Sequence, residues 1–562
     1  MAKKKIQKRA TPTIKKEKKN LKFIFISGGV ISGIGKGVTS ASISTILKSR
    51  GISVSPIKVD MYLNQDAGTI RPQEHGEVFV TDDGIETDQD LGTYERFIDQ
   101  PIYRSNYITT GQIYAEVLRK ERAFEYGGED VEAIPHVTDE IIRRFYQAGK
   151  GADVVIIELG GTVGEYQNGI FFEATRIMTL RNPDDMIHIH VAYLPTPSYL
   201  GEMKSKPVQQ SVRTLNSMGI EPDIIVGRSE TPMDDKRKER IALFCNVDKK
   251  SVLSNPDVKS IYEVPVILEE QNAGDIILAK LKIAPRKRDM QSWRNFVRQI
   301  RSTKKELSIA VVGKYFGTGK FELADSYVSV IESLKHAAWA NKTQVKLTWI
   351  DAVRVEKDGA KNVLTGFEGI VVPGGFGSRG TEGMIETIRF AREKDVPFLG
   401  LCYGMQMATI EFARNVAKLR NANSTEVDTV TKHDIVHIMP DQEKKLLVKD
   451  YGGSMRLGAW DCILKKGSKA EALYGVRKIS ERHRHRYEIN NKYREQLEKE
   501  GLIFSGTSPD GKLAEIIEIP TKRFFMGSQF HPEYKSRPMR PHPMFDGFVK
   551  AAIKKPKIKV KK

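Results

Sequence analysis

The stretch SGGVISGIGKGVTS, Ser27–Ser40, stands between an apolar run, LKFIFI (Leu21–Ile26), and a segment of helical character, SISTILKSRG (Ser42–Gly51). A strict phosphate-loop pattern, G-x-x-x-x-G-K-[ST], fails on it twice: Val30 occupies the place of the first glycine, and Gly37 follows the lysine. The physical requirements are nevertheless met. Glycines at 28, 29, 33, 35 and 37 let backbone N–H groups converge on an anion, the helix N-terminus adds positive potential, and Lys36 adds a full charge. A flexible turn with an exposed lysine is the alternative, but the strand-loop-helix context favours a phosphate site.

Outward from this loop the same alternation continues. Strand-like runs KFIFIS, ADVVIIEL, MIHIHVAYL and DIIVGRS are separated by helix-like segments up to about Ala284, and a second series follows: SIAVVGKY, VKLTWIDA, GIVVPGG, VPFLGLC and FFMGSQFHPE. Buried strands alternating with helices predict an α/β protein with mainly parallel sheets, here in two domains. The charged stretch RKRDMQSWRNFVRQIRSTKKE, without a strand signal, reads as the connector. The expected boundaries are a basic tail at 1–20, a first domain at 21–287, a linker at 288–307, a second domain at 308–548 and a basic tail at 549–562.

The 562-residue chain is 40% hydrophobic and 29% charged, a globular composition, with no apolar run near the roughly 20 residues of a membrane span. The first 20 residues lack the apolar core of a secretory signal. Three cysteines, Cys245, Cys402 and Cys462, argue against a disulfide framework and fit a reducing, cytoplasmic setting. Of the net charge of +19, most sits at the ends: residues 1–20 hold nine Lys/Arg and one Glu, and residues 551–562 hold six Lys and no acid. Such runs are solvated tails, so neither a specific nucleic-acid partner nor a membrane is expected.

Two further constellations carry chemistry. HGEVFVTDDGIETDQDLGTYERF gathers Glu77, Asp82, Asp83, Glu86, Asp88 and Asp90, hard oxygen donors suited to Mg²⁺ beside a triphosphate, although most are expected to be ordinary surface residues. VPFLGLCYGMQMATIEFA places Cys402 between Gly400 and Gly404 at a strand-to-helix turn, the geometry of a nucleophile elbow at a helix N-terminus. GSQFHPEY supplies His531 to take the thiol proton and Glu533 to orient the imidazole. Cys245 and Cys462 read as packing residues.

The segments GGVISGIGKG, KVDMYLNQDAGT, HGEVFVTDDGIETDQDLGTYERF, IPHVTDEI, ELGGTVGE, KSKPVQQSV and IALFCNV resemble the amidoligase half of the CTP synthase family. G-x-C-x-G, PGGFG and His-Pro-Glu together resemble a class I glutamine amidotransferase. The likeness runs from about Lys22 to the C-terminal tail. It implies a dethiobiotin-synthetase-like P-loop amidoligase domain followed by a flavodoxin-like amidotransferase domain. The implied reaction is ATP-dependent amination of UTP to CTP through a 4-phosphorylated UTP, with ammonia from glutamine.

Carried over by this resemblance, ATP would meet Ser32, Gly33, Gly35, Lys36, Gly37, Lys58, Asp60 and Asp90, and Mg²⁺ would bind Asp90 and Glu158. UTP would be received by Ser32, Lys204, Lys206, Gln209 and Arg240, and His75 would lie at the ammonia entrance. Gly375 and the Tyr403 amide would form the oxyanion hole. Glutamine would be held by Gly375, Gln406, Glu426 and Arg486, and the activator GTP would reach Arg379. CTP feedback inhibition and a homotetramer are also implied.

The chain departs from the family at Arg240, where Lys is usual, at Glu165-Tyr166-Gln167, where D-I-E is common, and at Tyr403, where Leu is common. The first keeps a cation with a different geometry, and the second leaves CTP feedback less secure than activity. At Tyr403 the backbone N–H is unaffected, though the larger ring changes the pocket. Two rival readings explain less. A cobyrinate-type amidotransferase would lack KSKPVQQSV and HGEVFVTDDGIETD, and a partitioning-type ATPase would leave Cys402, His531 and Glu533 without work.

Overall fold

The computed structural model describes residues 21–554 except 200, 315–316, 319–320, 323, 440–441, 444 and 446–451. The tail at 1–20 lies outside the described residues, as does the C-terminal stretch from 555.

The first half is built on a seven-stranded sheet in which every pairing is parallel. Its spatial order is Tyr107–Thr109, Val54–Asp60, Val154–Leu159, Lys22–Gly29, Met186–Tyr193, Ile224–Ser229 and Val252–Pro256. The strands are almost uninterruptedly apolar because helices cover both faces. Phe23 and Phe25 enter one core layer, while Ile24 and Ile26 enter the other. Register aligns Glu158 with Ile26 on one side and with Lys58 on the other, so that both charges and the glycine loop share one end of the sheet. Ligands of open α/β sheets bind at this carboxyl end.

The second half carries a nine-stranded sheet. Five strands are parallel, in the order Gln344–Asp351, Glu306–Gly313, Gly369–Val372, Phe398–Leu401 and Phe525–Ser528. Antiparallel strands Ala514–Glu518, Ile503–Thr507, Arg456–Leu464 and Lys478–His485 extend it.

The connector is an amphipathic helix, Gln291–Ser302, that buries Trp293, Phe296, Val297 and Ile300. These side chains join one cluster with Phe97 and Tyr262 of the first half and Trp339 of the second, with Phe296 and Trp339 ring centroids 5.7 Å apart. A helix also spans Pro543–Ile553 and buries Phe548, Val549 and Ala552, so the second half continues past 548.

Charge completes the junction. Arg482, on the outermost antiparallel strand, is 1% exposed and meets Glu95 at 2.9 Å and Asp82 at 2.6 Å. Arg537 reaches Glu95 at 2.6 Å and Arg484 reaches Glu86 at 2.8 Å. Buried charges require such partners, which explains a correction to the sequence reading: Glu77, Glu86 and Asp88 are buried and Asp83 alone of the six acids is exposed.

Candidate active sites

The glycine loop leaves its strand with Val30 in the left-handed region, φ 84°, where the strict pattern would have placed glycine. A β-branched residue is strained there, and such strain persists where surrounding structure fixes it. Gly37 is required by a close approach: a Cβ there would lie 2.2 Å from Asp90 Oδ1. The Asp90 carboxylate therefore sits directly against the first turn of the helix Lys36–Lys48.

Around that turn the charges interlock. Lys58 Nζ lies 2.6 Å from Asp90, 3.2 Å from Asp60 and 3.5 Å from Asp88. Burial disfavours the Lys58 ammonium, but Asp60, Asp88 and Asp90 together raise its pKa well above the ordinary value. Burial, opposed by Lys58 and reinforced by Glu158 and Asp88, pushes Asp90 up to about 7. Lys36 Nζ donates to the Gly161 carbonyl at 2.7 Å, and burial lowers its pKa against the pull of Glu158. Tyr94 donates a hydrogen bond to Glu158. His75 pairs with Asp88 at 2.9 Å, and that hydrogen bond raises its pKa. Asp60, His75 and Asp88 hold ligand atoms within 4.8 Å of one another.

The expected UTP residues Lys204, Lys206, Gln209 and Arg240 stand outside this charge cluster. Lys204 pairs with Glu202 at 2.8 Å, and Arg240 stands over its own Phe244 ring. Among the described residues, no hydrogen bond or ion pair joins either one to the glycine loop. Lys206 and Gln209 belong to the helix Lys206–Ser217, whose Ser211 packs so closely on Gly29 that a Cβ would lie 1.6 Å from its hydroxyl.

In the second half, Cys402 has φ 48° between the strand Phe398–Leu401 and the helix Tyr403–Asn415. Gly404 is needed because a Cβ would fall 2.1 Å from the Val372 carbonyl oxygen. His531 Nδ1 lies 2.7 Å from Glu533, while its Nε2 has no protein hydrogen-bond partner. Burial disfavours the imidazolium, yet Glu533 and the Cys402 sulfur overcome it and raise the His531 pKa to about 10. The arrangement therefore has a nucleophile, a base and an orienting carboxylate in one place.

A cavity of about 80 Å³ opens on this group. Cys402, His531, Glu533, Gly374 and Gly375 line it from the second half, and Pro72, Glu77 and Val78 line it from the first. A larger hollow, about 500 Å³, lined by Arg456, Trp460, Ser508 and Leu513, contains no such nucleophile and base. Volume alone does not locate the chemistry.

Residues 22–283 match the family model described as CTP synthase N-terminus, and residues 322–551 match that for glutamine amidotransferase class-I. The CTP synthase of Methanocaldococcus jannaschii is 50% identical over 95% of this chain and 99% of its own length. Those of Pyrococcus furiosus (48%, over 94% and 98%) and Geobacillus kaustophilus (49%, over 95% and 99%) are similarly close. The chain belongs to the CTP synthase family.

In this CTP synthase family member the three side chains expected to hold glutamine each have a hydrogen-bond partner within the second half. Gln406 donates to the Tyr487 carbonyl at 3.0 Å, Glu426 accepts from the Gly377 amide at 2.7 Å, and Arg486 donates to Gln442 at 2.8 Å and Ser454 at 2.9 Å. Arg379 is exposed and paired with Asp351 at 2.8 Å. Cys245 and Cys462 are buried, and burial raises the Cys245 pKa to about 11.

Gln529, Tyr534 and Arg484 escaped the sequence reading, and Glu77 was named there only among the acids of the HGEVF segment. Gln529 donates to the Cys402 sulfur at 3.5 Å, and its place in GSQFHPEY two residues before His531 was the available signal. Tyr534 stacks on His531 at 5.1 Å and donates to the Val78 carbonyl at 2.9 Å, tying the base to the other half. Glu77 accepts from the Ser329 amide at 3.1 Å, and burial pushes its pKa up to about 7. Arg484 pairs with Glu86, and its carbonyl lies 3.8 Å from the Cys402 sulfur.

Proposed function

We propose that the chain aminates UTP to CTP at the expense of ATP, with ammonia released from glutamine in its second half and used in its first. Family membership over nearly the full length supports the reaction, and one observation carries the coupling of the halves: Pro72, Glu77 and Val78 share the cavity of Cys402, His531 and Glu533. Ammonia in neutral water is mostly ammonium, which is not a nucleophile, so an enclosed passage preserves the reactive form.

In the glutaminase step the Cys402 thiolate attacks the side-chain amide carbon. The developing oxyanion is met by the Gly375 and Tyr403 amides, and His531 delivers a proton to the departing ammonia. Water then cleaves the thioester to give glutamate. Glu533 keeps the imidazole aligned and stabilises its charge. Gln406, Glu426 and Arg486 hold the glutamine, and His75, two residues before the cavity-lining Glu77, stands where ammonia enters the first half.

In the synthetase step the loop at Ser32, Gly33, Gly35, Lys36 and Gly37 cradles the ATP phosphates, while Lys58 and Asp60 flank them. The γ-phosphoryl group passes to the UTP 4-oxygen, ammonia attacks C4, and phosphate leaves. Positioning and charge stabilisation dominate such transfers. The family's ATP-dependent chemistry implies a divalent cation of the Mg²⁺ type. The donors fit it: Asp90 lies against the phosphate turn and interacts with Glu158, and both offer hard oxygens. Bound there, Mg²⁺ would neutralise phosphate charge. Ser32, Lys204, Lys206, Gln209 and Arg240 would receive UTP, completed by a neighbouring subunit of a homotetramer, since among the described residues no hydrogen bond or ion pair joins Lys204 or Arg240 to the loop. GTP at Arg379 as activator and CTP as inhibitor complete the reading.

The test is Cys402→Ala, assayed for CTP formation with glutamine and with ammonium chloride. Glutamine-dependent synthesis is expected to vanish while ammonium-dependent synthesis persists. Equal loss of both would refute the division into two sites.

A further inference from the structure

The lysine that follows the strand Glu306–Gly313 is 5% exposed, and the glutaminase mechanism above gives it no task. Lys314 Nζ donates to the Phe376 carbonyl at 3.2 Å, to the Gly377 carbonyl, and to the Tyr403 hydroxyl at 3.0 Å. Its ammonium also stands 4.1 Å from the Tyr403 ring centroid, a favourable cation–π placement. All three N–H donors of the ammonium are thus used.

Tyr403 completes a closed figure. Its hydroxyl donates to the Gly377 carbonyl at 2.8 Å and lies 3.3 Å from the Thr381 hydroxyl. From the opposite side the Glu426 carboxylate accepts the Gly377 amide at 2.7 Å. Gly377 is therefore gripped at both its amide N–H and its carbonyl. One amide of the oxyanion hole belongs to Tyr403 itself, and the other belongs to Gly375, two residues from Gly377.

We propose that Lys314 is a positioning residue for the glutaminase reaction: with the Tyr403 hydroxyl it clamps the Phe376 and Gly377 carbonyls and so fixes the Gly375 amide against the Tyr403 amide. Tyr403, a departure from the leucine common in the family, is what allows the clamp to close on the residue next to the nucleophile. The inference rests on the assignment of Cys402 and of these two amides.

The clamp is sensitive to pH because a neutral amine keeps only two N–H donors. Burial lowers the Lys314 pKa to about 8; Glu426 and Glu356 favour the charge and Arg379 opposes it. The clamp is complete below that pH and loosens above it.

The experiment measures kcat and KM for glutamine from pH 6.5 to 9.5, beside ammonium-dependent synthesis, in the full-length wild type, Lys314→Met, Lys314→Arg and Tyr403→Phe. Lys314→Met is expected to lower kcat for glutamine about 10- to 100-fold, less than the loss of an oxyanion donor itself, with KM within about twofold and ammonium-dependent synthesis retained. The wild type is expected to lose kcat as pH rises through about 8, and Lys314→Arg, where it supports turnover, to remove that limb. Tyr403→Phe keeps the backbone amide and is expected to lose several-fold in kcat; it decides the matter if Lys314→Met does not fold. Unchanged kcat in both Lys314→Met and Tyr403→Phe, or parallel loss of glutamine- and ammonium-dependent synthesis, overturns the proposal. Cys402→Ala run alongside separates this from failure of the underlying assignment, which would show as surviving glutamine use.

Discussion

The glutamine pocket and the nucleotide loop meet their chemistry in different states of completion. Beside Cys402 the working groups are already in contact, with His531 on Glu533 at 2.7 Å and Gln529 on the sulfur at 3.5 Å. At the loop the charges are instead paired with one another, Lys58 holding Asp90, Asp60 and Asp88 within 3.5 Å. Covalent catalysis needs its nucleophile and base preassembled, whereas a phosphoryl-transfer site takes its remaining charges from the nucleotide and cation it binds. In the proposed synthetase step, Lys58 and the acids beside the loop would exchange these partners for a bound polyanion.

The most severe way to break this contrast is Glu533→Gln, which preserves shape and removes the orienting charge. Glutamine-dependent turnover is expected to fall by up to about 10⁴-fold with ammonium-dependent turnover spared. The pH response follows from the raised His531 pKa. The charge pair's stabilisation is complete below the ordinary histidine value and is lost as pH rises through about 10. In Glu533→Gln that alkaline loss moves to lower pH, measurable as the melting temperature from pH 6 to 11. Lys36→Ala should act on both activities, lowering each by about 10²- to 10³-fold, because the loop serves either nitrogen source. A variant with normal ATP-dependent turnover would contradict the loop's role.

Arg482→Ala tests the junction rather than either site. It leaves buried Glu95 with Arg537 as its remaining partner and takes Arg482 from Asp82, a change expected to cost about 3 kcal/mol in thermal or denaturant unfolding. Loss of glutamine use ahead of ammonium use would show that the junction holds the cavity together. The smallest effect is expected from deleting residues 1–20, with turnover within about twofold of the full chain; a large drop would show a structural role for the tail.

Much of this was legible in the residues themselves, and what was not has physical reasons. The glycine loop and G-x-C-x-G announce themselves because close approaches at Gly37 and Gly404 exclude any side chain. His531 and Glu533 are two residues apart in sequence and 2.7 Å apart in space. Val30 misled because the loop achieves a left-handed φ without glycine at that point. The helix Gln291–Ser302 hid behind its charges, since its apolar stripe is short and its partners, Tyr262 and Trp339, lie on different domains. Arg482 and Glu95 are nearly four hundred residues apart, and Lys314 looked like the end of a strand, because only folding brings Tyr403 and Gly377 to it.

The central claim, that nitrogen passes from one half to the other inside the protein, is tested most directly by isotope transfer. CTP would be made from glutamine carrying ¹⁵N in its side-chain amide, with unlabelled ammonium present at a level too low to sustain turnover in Cys402→Ala. The account predicts CTP with undiluted ¹⁵N at C4. Dilution in proportion to the ammonium in solution would contradict it.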